Sequence, residues 1–86
     1  MKLTKIEYKI LYLMERVGLS SLEKIKGFVD ISEEETKKTV IKLESLGLAK
    51  RSEFRGDNFY GFTATPKGNK LLKSKEYEEW FMEFGD

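Results

Sequence analysis

The sequence predicts a small, mostly helical α+β domain: three helices, a two-stranded β-hairpin and a C-terminal helix. Three observations lead there. Apolar residues recur at helical spacing in residues 3–18, 20–29 and 32–47, where Thr4, Ser20 and Ser32 are each followed by Glu three residues later. Two strand-like runs, 48–54 and 59–64, flank the turn-forming Arg55-Gly-Asp-Asn58. Thr65-Pro66 then pairs an N-cap residue with a proline at the first helical position.

Composition narrows the function. The 86 residues allow one small domain and contain neither cysteine nor histidine, which excludes disulfides, zinc ribbons, thiol chemistry and His-based acid–base catalysis. No Gly-rich phosphate loop and no constellation of titratable residues is present, so a non-enzyme without cofactor or metal is expected. No apolar run approaches the roughly 20 residues of a membrane span and no signal-peptide core opens the chain, which predicts a soluble cytoplasmic protein without a membrane role. The net charge of +1 hides a polarity. All 16 Lys and Arg fall within residues 1–75 beside ten acids, whereas residues 76–86 hold five acids and no base. Glutamine is absent, Asn occurs only at 58 and 69, and the charge is mostly Lys and Glu, a usage resembling that of thermophilic proteins.

The first helix carries a Thr4/Glu7 capping box and a terminal Gly18. Ile6, Ile10, Leu13, Met14 and Val17 form one stripe, and Tyr8, Leu11 and Tyr12 another nearly opposite, so the helix is expected between two layers. The second helix is short, with Ser20 and Glu23 as its capping box, Leu22, Ile25 and Val29 inward and Gly27 in its middle. Asp30-Ile31 joins it to the third helix, a gap that suits a helix-turn-helix. That third helix has Ser32 as N-cap, Glu33, Glu34 and Glu35 where the dipole favours negative charge, and Gly47 as its stop. Thr36, Thr39, Val40, Leu43 and Leu46 gather on its inner side; Lys37, Lys38, Ile41, Lys42 and Ser45 gather on the other.

The buried face of each strand is ambiguous, but Phe54, Phe59, Tyr60 and Phe62 are expected to pack onto the first and fourth helices. The fourth helix runs through Leu71 and Leu72, with a possible break near Ser74. Tyr77, Trp80, Phe81 and Phe84 then form an aromatic stripe at helical spacing.

Three pieces resemble a known family: residues 3–8 (Leu-Thr-Lys-Ile-Glu-Tyr), 43–51 (Leu-Glu-Ser-Leu-Gly-Leu-Ala-Lys-Arg) and 65–68 (Thr-Pro-Lys-Gly). In this order they look like a winged helix-turn-helix DNA-binding domain of the MarR/PadR-like regulator type, found in many archaeal and bacterial proteins. The resemblance covers roughly residues 3–72. It implies a third helix in the major groove of double-stranded DNA, a wing on phosphates or the minor groove, and flanking helices that dimerise. On this reading residues 1–72 are the winged helix-turn-helix domain and 73–86 a C-terminal amphipathic dimerisation helix. The protein is expected to be a homodimeric, sequence-specific transcription regulator whose third helices meet half-sites about 34 Å apart.

The expected DNA contacts are Thr36, Lys37, Lys38, Ile41, Lys42, Lys50, Arg51 and Arg55. The middle of the third helix and the wing carry them, while Glu33 to Glu35 serve to start the helix. Ile41 could meet a thymine methyl, a protein partner or the wing. The tail aromatics could close back over their own domain or pair with a second copy; the favoured dimer interface is Tyr8, Leu11, Tyr12, Tyr77, Trp80, Phe81 and Phe84. The alternative is a winged-helix protein–protein interaction module without direct DNA binding, suggested by the acidic first turn, Ile41 and the aromatic tail.

Overall fold

A computed structural model describes residues 2–54 and 59–85. The chain folds as α1 (Lys5–Val17), α2 (Leu22–Val29), α3 (Glu33–Ser45), β1 (Ala49–Phe54), β2 (Phe59–Ala64), α4 (Pro66–Leu72), a 3-10 turn (Lys75–Tyr77) and α5 (Glu78–Gly85). The strands pair antiparallel, from Ala49 with Ala64 to Phe54 with Phe59.

Helix α1 is the central element. Thr4 and Glu7 form the expected capping box, and Gly18 ends the helix at φ +87°, where a side chain would be strained. Ile10, Leu13 and Met14 are buried on one side, and Tyr8, Leu11 and Tyr12 on the other. The stripe read from the sequence is too long at both ends: Ile6 and Val17 are exposed. Helices α2 and α3, strand β2 and helices α4 and α5 all pack against α1. It is thus enclosed between two layers of its own chain.

The helix-turn-helix forms as expected, with one correction. Ser20 does not cap α2. That role falls to Ser21, whose hydroxyl accepts from the Lys24 N–H. Ser20 is buried and exchanges two backbone hydrogen bonds with Phe62, at 2.9 and 2.8 Å, so the segment entering α2 forms a one-residue bridge to the hairpin. Local capping chemistry fits either serine; the pairing partner lies 42 positions away in sequence and decides between them. Gly61 makes the approach possible, because a Cβ there would lie 2.9 Å from Leu19 Cγ.

The second and third family-like pieces meet where α3 ends. The Thr65 hydroxyl donates to Gly47 O at 2.6 Å, the Thr65 N–H to Leu48 O at 3.0 Å, and the Lys67 ammonium to Leu46 O at 3.1 Å. The carbonyls of the segment that leaves α3 are therefore satisfied from the start of α4, while Lys42, Leu43 and Glu44 of α3 itself accept from the N–H groups of Leu46, Leu48 and Gly47. The Thr65 hydroxyl also accepts from the Gly68 N–H, and Gly68 packs so closely on Leu48 O that any Cβ there would collide with it. These contacts fix where the hairpin leaves α3.

The break near Ser74 is real, and beyond it the tail turns back on α1. Tyr77 is buried, its ring centroid 5.2 Å from that of Tyr8, and its hydroxyl accepts from the Leu3 N–H at 2.8 Å. Trp80 and Phe84 also contact Tyr8, while Phe81 and Phe84 contact Tyr12. The expected interchain aromatic interface is corrected accordingly: Tyr8, Leu11, Tyr12 and Tyr77 are spent inside one chain. Of the seven residues assigned to a dimer, Phe81 is exposed and Trp80 and Phe84 are half-buried.

Candidate nucleic-acid interface

Helix α3 carries the candidate site because its two faces differ in chemistry. Ser32 caps it, its hydroxyl accepting from the Glu35 N–H at 3.1 Å, and the acids of the first turn suit the positive end of the helix dipole. Val40 and Leu43 are buried against the core and anchor the inner face. The opposite face is therefore pushed outward, and Lys37, Lys38, Ile41, Lys42 and Ser45 are exposed on it.

Thr36 is the exception among the expected contacts. It is fully buried, and its hydroxyl donates to Ser32 O at 2.8 Å. It lies four residues before Val40, on the same inner stripe, so it supports the helix start and presents nothing to a ligand.

The remaining cations divide by what holds them. Lys37 and Lys38 are exposed, and neither is paired with a carboxylate among the described residues. Lys42 turns to the flank facing α1, its ammonium 2.7 Å from Glu7 Oε2. Burial alone would push the Glu7 carboxyl up. The hydrogen bond from Lys42, the Thr4 backbone N–H and the lysine charge outweigh it and hold the group below its ordinary value. Arg51 on β1 reaches Glu44 of α3 at 3.2 Å and lies over the Phe62 ring, 5.3 Å from its centroid. Lys50 is exposed on the same strand. Arg55 lies outside the described residues, as do the side chains of Phe54, Phe59 and Tyr60. Phe62 is buried, as expected, on a strand that packs on α1.

Between α2, α3 and the hairpin lies a groove of about 190 Å³ lined by Leu22, Lys37, Val40, Ile41, Arg51 and Phe62. The sequence reading brought Lys37, Ile41 and Arg51 to this region but missed Leu22, Phe62 and the two acids, Glu7 and Glu44, that hold cations. Leu22 faces inward as its place in the apolar stripe predicts, but in the first turn of α2 it stays half-buried and so also reaches the groove. Among the described residues, no group of His, Cys, Asp or Glu is arranged to hold a metal ion, and no helix is long and apolar enough to cross a membrane.

This arrangement of helices and hairpin recurs in solved structures. It superposes on Bordetella bronchiseptica BpsR, whose DNA binding is regulated by 6-hydroxynicotinic acid, with a TM-score of 0.83 and 21% identity over 95% of this chain and 60% of that one. The fold is a MarR-type winged helix. The multiple antibiotic resistance repressor MarR matches with a TM-score of 0.81 and 12% identity, covering 96% of this chain and 59% of MarR. Lactococcus lactis ZitR, a zinc-responsive MarR family member, matches in its DNA complex with a TM-score of 0.77 and 25% identity, covering 96% of this chain and 57% of ZitR. The winged helix described here thus spans 57 to 60% of the length of these solved chains. No protein-family model and no curated protein sequence matches the chain.

Proposed function

We propose that this winged helix binds double-stranded DNA sequence-specifically and acts as a transcription regulator, without enzymatic activity and in the cytoplasm. The observation that carries the reading is the outward face of α3. Lys37 and Lys38 stand there beside Ile41 with no carboxylate partner among the described residues, and Lys50 and Arg51 lie on the adjoining strand. Lysines so placed neutralise phosphates and position a helix in the major groove, while side chains in the middle of the helix reach base edges. The solved neighbours include a repressor and a DNA complex, which supports the same reading. The contact set is Lys37, Lys38, Ile41, Lys50 and Arg51, with Lys42 on its α1 flank; Arg55 continues the basic run along the chain.

A homodimer completes the proposal. Phe81 and Met82 remain exposed on α5, and apolar surface of this kind suits a twofold contact between copies. The two chains would each keep their own aromatic core and meet through the outer side of α5.

Fluorescence anisotropy against a random duplex library at low salt tests the function. Enrichment of a palindromic site, bound at least tenfold more weakly by Lys37→Ala/Lys38→Ala, supports it. Absence of binding to any duplex at low salt contradicts it.

A further inference from the structure

The groove beside Ile41 gives the proposed DNA contact a base preference. Ile41 is 56% exposed in the middle of the outward face and lines the groove together with buried apolar neighbours. Lys37 precedes it by four residues and Lys38 by three, so both cations share its side of the helix. The buried side chains of Val40 and Phe62, together with Leu22 and Ile41, give the groove an apolar lining completed by Lys37 and Arg51. A surface that is apolar at its centre and cationic around it is complementary to an apolar group carried on a polyanion. In duplex DNA the major groove offers one such group, the C5-methyl of thymine.

We infer that Ile41 is a specificity-determining residue that seats a thymine methyl against this groove. The inference rests on the DNA-binding reading and adds to it the identity of one base in each half-site. It also assigns separate tasks along α3: Lys37 and Lys38 hold the backbone, Ile41 reads the base, and the acidic first turn stays outside the contact. Among the described residues, Ile41 keeps an exposed side chain, which leaves it available.

The test uses the full chain and the duplex it selects from a random library. Each thymine of that site is replaced in turn by deoxyuridine, which removes the methyl and keeps the hydrogen-bonding edge. Wild type is expected to bind about fourfold more weakly at one thymine per half-site, the magnitude of one buried methyl. Ile41→Ala, whose fold is checked by circular dichroism, is expected to bind the thymine and uracil sites equally. Lys37→Ala is expected to weaken both sites together and keep their ratio. Wild type that binds tightly but is indifferent to uracil at every position overturns the inference and leaves DNA binding standing, as does Ile41→Ala that keeps the ratio. Failure to bind any duplex, with Ile41 instead required for self-association in sedimentation, overturns both and assigns the groove to a protein.

Discussion

The Lys42 ammonium lies 2.7 Å from Glu7 Oε2, tying the outer flank of α3 to the first turn of α1. Glu7 performs two tasks at once, since its Oε1 accepts from the Thr4 N–H at 2.9 Å and completes the cap. The ion pair thereby links the proposed DNA-contact helix to the scaffold. Because Lys42 is nearly half exposed, the ion pair itself contributes little, about 0.5–1 kcal/mol. Glu7→Gln should lower stability by that amount in urea unfolding while leaving the m-value unchanged. It should also release Lys42 and raise affinity for DNA about two- to threefold at low salt.

The same pair sets a pH dependence. The folded-state pKa of Glu7 lies below its unfolded value, so the stabilisation is present above the ordinary carboxylate range and disappears as pH falls through the folded pKa. As pH falls from the ordinary carboxylate range through the lower folded value, wild type should therefore lose more stability than Glu7→Gln, and the two melting curves should converge at the acid end.

Tyr8 provides a second titration of opposite sense. Burial, and after it the neighbouring Tyr12 and Tyr77, push its hydroxyl up to about 12, and the hydroxyl donates to Leu72 O at 2.8 Å. A raised folded pKa means that stability is intact below the unfolded value near 10 and declines as pH rises from there through the folded one. Ultraviolet titration should show a tyrosinate component missing until about pH 12. Tyr8→Phe should cost about 1–2 kcal/mol, because it leaves the Leu72 carbonyl without its buried donor.

Two glycines should respond in opposite directions. Gly27 lies within α2, and a Cβ there would meet nothing within 4 Å. Gly27→Ala should stabilise by about 0.5–1 kcal/mol. Gly68 has no such room against Leu48 O, so Gly68→Ala must displace α4 from the end of α3. A loss of roughly 2–4 kcal/mol in thermal or urea unfolding is expected. Equal effects of the two substitutions would contradict the close approach.

These contrasts show what the sequence made legible. The helix starts at Thr4, Ser32 and Thr65 could be read locally, because an N-cap hydroxyl and the N–H that donates to it lie three residues apart. The inner stripe of α3 was legible from helical spacing, and Thr36 belongs to it by that spacing, which places it with the core and not with the expected contacts. What could not be read were choices made by distant partners. Phe62 decides the role of Ser20, Glu7 the direction of Lys42, and Tyr8 the destination of Tyr77 and Trp80. An aromatic stripe on a terminal helix looks alike in sequence whether it covers its own chain or another copy. Here α1 offers a second apolar side within reach of the tail, and the break at Ser74 lets the tail turn back to it.

The proposed DNA contact of the middle of α3 through Lys37 and Lys38 is tested by the salt dependence of affinity for the selected duplex, measured for wild type and for Lys37→Ala/Lys38→Ala. Each phosphate neutralised contributes about 0.9 to the slope of log affinity against log salt. The double variant should lose roughly two from the slope per protomer while its melting temperature stays unchanged. An unchanged slope and affinity in a folded double variant would contradict the account.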